Sequence, residues 1–159
     1  MEIVLATKNE HKKIEINKIL TNLNIKCLSL KDYNDTPAVL EDGQTFEENA
    51  IKKAKEISKF TGKIAMADDS GLVVDILDGK PGIYSARFAG ENATSKENNK
   101  KLLNLLKDYP KLIQRKAVFI CVIAIADQNK VLGIAKGVCE GFISHTVKGN
   151  YGFGYDPLF

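Results

Sequence analysis

The chain has no tryptophan, and only 4 prolines, 2 histidines and 3 cysteines among its 159 residues. Cys27, Cys121 and Cys139 are odd in number, far apart and without a C-x-x-C pair, so the sequence offers neither a disulfide framework nor a zinc site. Buried thiols in a reducing compartment are the expectation. His11 and His145 stand alone, with no second histidine or cysteine three or four residues away, and neither is read as a metal ligand. Arginine is confined to Arg87 and Arg115, the remaining basic residues being lysine. Setting 23 basic against 20 acidic side chains leaves +3, too mild and too scattered for a surface that grips a nucleic-acid duplex. A small anionic ligand is compatible with this charge. No apolar run approaches the ~18 residues of a membrane helix, and Met1 to Ala6 lacks the basic start and long apolar stretch of a signal peptide. A cytoplasmic protein with no membrane partner is expected.

What is present fits a packed globular chain: 44% hydrophobic and 27% charged residues, at a length suited to one domain spanning 1–159. Ile3 to Ala6 reads as a strand that stops at Thr7-Lys8-Asn9. Ile16, Ile19, Leu20 and Leu23 then recur at helical spacing. Ile25 to Leu30 reads as a second strand and the polar stretch from Lys31 to Gln44 as a loop. Thr45 and Glu48 have the spacing of a reciprocal capping box, and Phe46, Ala50, Ala54 and Ile57 continue one helical face to about Lys59. Apolar segments flank Asp68-Asp69-Ser70-Gly71, which predicts that the acidic pair sits where a strand ends or bends. A second capping pattern, Thr94 to Glu97, opens a leucine-rich helix closed by Pro110. Ala117 to Ala126 and Val131 to Ile143 read as strands around a hairpin-like break. The order implies an α/β fold, a mixed sheet with flanking helices.

Three segments carry candidate chemistry. Thr7 to Lys12 lies between a strand and a helix, where backbone amides and the helix dipole favour an anion, although an Asn or Thr cap beside solvated lysines accounts for it equally well. It is not a Walker-type phosphate loop. Asp68 and Asp69, adjacent on a strand, point to opposite faces, so one of them can meet a given pocket. A carboxylate there could hold Mg²⁺ or take a proton from water; a turn-capping Asp is the plainer alternative. Glu41 precedes the helix and could supply a second metal oxygen. On that helix, Glu48 and Lys52 have ion-pair spacing, while Lys53 shares a face with Asn49 and is the better phosphate candidate. The aromatic and glycine-rich Gly152 to Pro157 would let backbone approach a flat ligand, or is a terminal turn.

Together these segments resemble the inosine triphosphate pyrophosphatase family, the Ham1-like non-canonical purine nucleoside triphosphate pyrophosphatases. The resemblance is carried by LATKNEHK (Leu5 to Lys12), EDGQTFEENAIKKA (Glu41 to Ala54), ADDSGLVVDILDGKPGIYSARFAG (Ala67 to Gly90) and GFGYDPLF (Gly152 to Phe159). It implies a Ham1/Maf-like α/β architecture, usually a homodimer, that cuts purine nucleoside triphosphates such as ITP, dITP and XTP between the α and β phosphates. The products are a nucleoside monophosphate and pyrophosphate, and the implied cofactor is Mg²⁺.

By position, the resemblance makes Thr7, Lys8, Asn9, Glu10, His11 and Lys12 the triphosphate turn, and Lys53 a phosphate-neutralising lysine. Asp69 is implied as proton acceptor and metal ligand, Glu41 as its acidic companion, and Ser70 as a substrate contact. Phe153, Gly154, Tyr155 and Asp156 are implied as the wall of the nucleotide pocket. No covalent nucleophile is required. Family members continue past this last segment with a lysine and a Ser-His-Arg element that contacts base and phosphate. Its absence here raises the alternative of a nucleotide-binding but catalytically impaired homologue. The related Maf-like pyrophosphatases fit these motifs less well.

Overall fold

The computed structural model describes residues 1–149 and 152–159. Five strands form one sheet in the order β2-β1-β3-β4-β5: β1 (Glu2–Leu5), β2 (Lys26–Ser29), β3 (Ala65–Val74), β4 (Lys116–Ala126) and β5 (Val131–Phe142). Helices α1 (Glu10–Leu20), α2 (Phe46–Thr61) and α3 (Ser95–Leu105) complete the mixed α/β fold expected from the sequence. The chain divides into two compact units, residues 1–69 with 122–136 and residues 70–121 with 137–159, so that β3, β4 and β5 each supply residues to both.

In the first unit β1 pairs in parallel with β2 and with β3, placing Ile3 opposite Cys27 and Leu5 opposite Met66. Ile3, Val4 and Leu5 are all buried, as a short parallel strand covered on both faces requires. Ile3, Leu5 and Met66 form a core with Ile16, Leu20, Ile25, Ile64, Ile123 and Ile125. The apolar face predicted for α1 is only half used: Ile16 and Leu20 pack, whereas Ile19 and Leu23 are exposed. The helix ends at Leu20, and Leu23 falls beyond it.

α2 turns Asn49, Ala50, Ala54, Ile57 and Ser58 inward. Gly62 closes it in the left-handed conformation, φ 68°, which a residue without Cβ adopts freely. Its start departs from the expected capping box. Thr45 Oγ1 accepts the Glu48 N–H, but Glu48 reaches one residue further back, to the Gln44 amide at 2.7 Å. The reciprocal box does form at α3 between Thr94 and Glu97.

The expected break at the acidic pair is also corrected: β3 runs without interruption through Asp68 and Asp69. Lysines and an asparagine meet both carboxylates, so the strand tolerates them at buried positions. The cysteines are free, but not uniformly buried. Cys27 and Cys121 are half-buried and Cys139 lies exposed on β5.

The second unit packs Leu72, Val74, Leu102, Leu106, Ala117, Ile143, Tyr155 and Leu158 into one core, with Phe119 and Phe159 edge to face at 4.7 Å. Arg115, 2% exposed, lies inside it and donates to the carbonyls of Leu106, Tyr109, Ile143 and Ser144. No helix among the described residues is long and apolar enough to cross a membrane.

Candidate active site

The turn after β1 closes on itself through side chains. Thr7 Oγ1 accepts the Asn9 N–H at 3.1 Å, and Asn9, the N-cap of α1, accepts from the amides of His11 and Lys12 at 2.9 and 3.4 Å. This is the capping arrangement. It has a consequence for anion binding, because two amides expected to face a ligand are already satisfied by Asn9. Positive charge at the site therefore comes from lysine side chains more than from the backbone.

A cavity of about 340 Å³ opens beside this turn. Its polar lining is Thr7, Lys8, Asn9, Lys12, Glu41, Lys53 and Asp68, and its apolar lining Ala6, Leu30, Pro37, Ala38, Val39 and Ile57. Segments far apart in sequence thus meet in the first unit. The Pro37 to Val39 wall went unrecognised because it sits in a stretch whose composition reads only as loop. Glu10 and His11 do not line the cavity: both are exposed, and Glu10 pairs with Lys31 at 2.6 Å, which pulls its carboxyl below the usual range.

Consecutive residues of the loop before α2 are strapped to the helix. Glu41 meets Lys53 at 2.6 Å, Asp42 meets Lys52 at 2.7 Å, and the Gly43 N–H donates to Asn49 Oδ1 at 2.8 Å. Lys52 is thus engaged by Asp42 and not by Glu48, the ion pair that helical spacing alone suggested. The two aspartates of β3 have different partners, as alternation along a strand requires. Asp68 pairs with Lys12 of α1, whereas Asp69 accepts a hydrogen bond from Asn49 Nδ2 at 3.2 Å and lies 3.7 Å from Lys53. Asp68 lines the cavity; Asp69 stands behind Lys53, 7% exposed.

Burial raises the Asp69 carboxyl above its ordinary range and the nearby Glu41 adds to the rise, with Lys53, Asn49 and Lys12 opposing it. Two carboxylates flank one ammonium. Such an oxygen pair fits a hard divalent cation that brings its remaining ligands with a substrate, because Mg²⁺ is usually held by one or two carboxylates and phosphate oxygens. Among the described residues no group of three or more His, Cys, Asp or Glu is placed to hold a metal ion.

Ser70 and Phe153 to Asp156 belong to the second unit. Tyr155 is buried in its core, its hydroxyl donating to the Ser85 carbonyl at 2.8 Å, and burial raises its pKa. Asp156 accepts the Phe153 N–H at 2.8 Å, and Asn99 of α3 donates to the Gly154 carbonyl at 3.0 Å. These contacts shape the GFGYD turn. Asn99 escaped the sequence reading, yet a polar residue at a buried position of a leucine-rich helix was the available signal.

A model of the Ham1 family matches residues 3–159. The chain belongs to the Ham1 family. It is 50% identical over 159 residues to the dITP/XTP pyrophosphatase of Desulforamulus reducens, covering all of this chain and 79% of that protein. With the dITP/XTP pyrophosphatase of Geobacter sulfurreducens the identity is 51% over 157 residues, covering 99% of this chain and 78% of the relative. Among solved structures, a HAM1 protein from Coxiella burnetii matches with a TM-score of 0.89 and 43% identity, covering all of this chain and 81% of that one. The Staphylococcus aureus Ham1 protein matches with a TM-score of 0.86 and 40% identity, covering all of this chain and 80% of that one.

Proposed function

We propose that this Ham1-family enzyme hydrolyses the 6-oxopurine nucleoside triphosphates ITP, dITP and XTP to the monophosphate and pyrophosphate, with Mg²⁺ as cofactor. The observation that carries the reading is the cavity where Lys8 and Lys12 of the first turn and Lys53 of α2 meet Glu41 and Asp68, with Asp69 immediately behind Lys53. Phosphoryl chemistry is mainly positioning and charge neutralisation, and these side chains suit both tasks. Lys8 and Lys12 are placed to receive phosphate oxygens, and Lys53 to neutralise charge developing on the departing pyrophosphate.

Each lysine that faces a carboxylate can exchange it for phosphate when substrate enters. The Lys12–Asp68 and Lys53–Glu41 pairs therefore keep the cations ordered before binding. Asp69, held ionised with more difficulty than an exposed Asp, is suited to accept a proton from the attacking water. Glu41 and Asp69 would hold Mg²⁺, which supplies Lewis-acid neutralisation of the phosphate oxygens. On the family resemblance, Ser70 is assigned as a substrate contact and Phe153, Gly154, Tyr155 and Asp156 as the wall of the nucleotide pocket.

The test is the product. Incubation with ITP, XTP, GTP and ATP, with and without Mg²⁺, should release pyrophosphate and monophosphate from the 6-oxo substrates lacking the guanine pattern, and only with the cation present. Release of orthophosphate as the first product, or equal turnover of all four nucleotides, overturns the proposal.

A further inference from the structure

Asn49 is 1% exposed on the inward face of α2, one turn before Lys53. Both ends of its amide are used. The Gly43 N–H can only donate, so the amide oxygen must face it, and the NH₂ is thereby turned to Asp69 Oδ2. Gly43 makes the close approach attainable: a Cβ there would lie 2.7 Å from Asn49 Oδ1 and 2.8 Å from the Glu48 Cβ. One side chain thus ties the loop that carries Glu41 to the strand that carries Asp69. The Lys53 ammonium, at 3.7 Å from Asp69 Oδ1, lies beyond hydrogen-bond distance. Asn49 is accordingly the group that fixes the rotation of the carboxylate.

Building on the function proposed above, we infer that Asn49 is a positioning residue that occupies Oδ2 of Asp69 and leaves Oδ1, the oxygen facing Lys53, to act in the reaction. An apolar residue of similar size would fill the same space and leave the carboxylate free to turn. Position 49 falls among the inward residues Ala50, Ala54 and Ile57 of α2 yet is polar, a faint sign of this role.

Two variants separate positioning from simple support. Asn49→Asp keeps an oxygen for the Gly43 N–H but loses the donor to Asp69, and Asn49→Ser loses both contacts without burying a charge. Pyrophosphate release from ITP is measured at saturating Mg²⁺, together with binding of the non-hydrolysable α,β-methylene analogue, the melting temperature, and amide exchange at Gly43. Both variants should lose about 10- to 100-fold in kcat, the range typical of groups that orient a reacting ligand. KM and analogue affinity should stay within about threefold, because the cavity lining is untouched. Gly43 protection should persist in Asn49→Asp and fall in Asn49→Ser.

Folded Asn49→Ser protein with kcat within twofold of the unmodified chain overturns the inference. So does a loss of activity that tracks only the unfolded fraction, or one expressed entirely in KM. If Asn49→Asp does not fold, Asn49→Ser decides alone. These outcomes leave the proposed activity standing, whereas no pyrophosphate release by the unmodified chain removes that reading and this inference with it.

Discussion

Asp69→Asn is expected to reduce pyrophosphate release about 10²- to 10⁴-fold, the contribution usual for a general base, while leaving the protein folded. Asparagine has nearly the same shape and retains an oxygen for the Asn49 Nδ2 donor, so the strand and helix should keep their contact. The stability change follows from linkage. Burial holds the folded-state pKa of Asp69 above its ordinary value, meaning that the folded protein binds the proton more tightly than the unfolded chain does. The stability this group contributes is fully present below the unfolded pKa, then declines as pH rises through the raised folded value. Above that value the ionised group is a standing cost, which asparagine removes. Denaturant midpoints across a pH series should therefore show the variant gaining on the unmodified protein as pH increases. An Asp69→Asn variant that turns over normally, or whose relative stability falls with pH, contradicts this account.

The elements whose signals are local were legible in the sequence. Ile3 to Ala6, the α2 face and the Thr94 box each rest on periodicity or capping within a few residues, and each takes its expected place. The acidic pair suggests a strand end or bend, since burying two carboxylates side by side is costly in isolation, yet β3 continues through it. Only the fold supplies Lys12, 56 residues away, and Asn49, 20 residues away, to meet them. The turn after β1 shows the converse: its anion-site reading and its capping reading were equally compatible with the residues, and the structure shows Asn9 performing the cap while lining the cavity. The Pro37 to Val39 wall had no signal at all. Its place depends on tertiary packing, and no periodicity marks an irregular segment.

Replacing Arg115 is expected to be the most destabilising single change in the second unit. In sequence it is an ordinary basic residue before a strand, and nothing local marks it for burial. In the structure Nε donates to Ile143 at 2.8 Å, Nη1 to Leu106 at 2.7 Å and Tyr109 at 3.3 Å, and Nη2 to Ser144 at 2.9 Å. Leu106 is the C-cap of α3 and Tyr109 follows it, while Ile143 and Ser144 follow β5, so one guanidinium joins the end of a helix to the end of a strand. The partial negative charge at a helix C-terminus favours a cation at Leu106 and Tyr109. Burial lowers the Arg115 pKa, but guanidinium stays protonated, and its charge is offset by carbonyl dipoles and not by a carboxylate partner among these contacts. Arg115→Met fills much of the volume yet takes the guanidinium donors from the carbonyls of Tyr109, Ile143 and Ser144, each costing about 1–3 kcal/mol if left buried and unpaired, while the Leu106 carbonyl keeps the Tyr109 N–H at 3.1 Å. Partial relaxation should reduce the total to about 3–5 kcal/mol, a large share of the ~5–15 kcal/mol that holds a domain together. Arg115→Lys should fall between, because an ammonium keeps the charge but cannot reach across the fork to all four carbonyls. Urea unfolding of the three proteins gives the order directly. Equal midpoints for Arg115→Lys and the unmodified chain would show that charge alone matters, and equal midpoints for all three would show that the carbonyls find other partners.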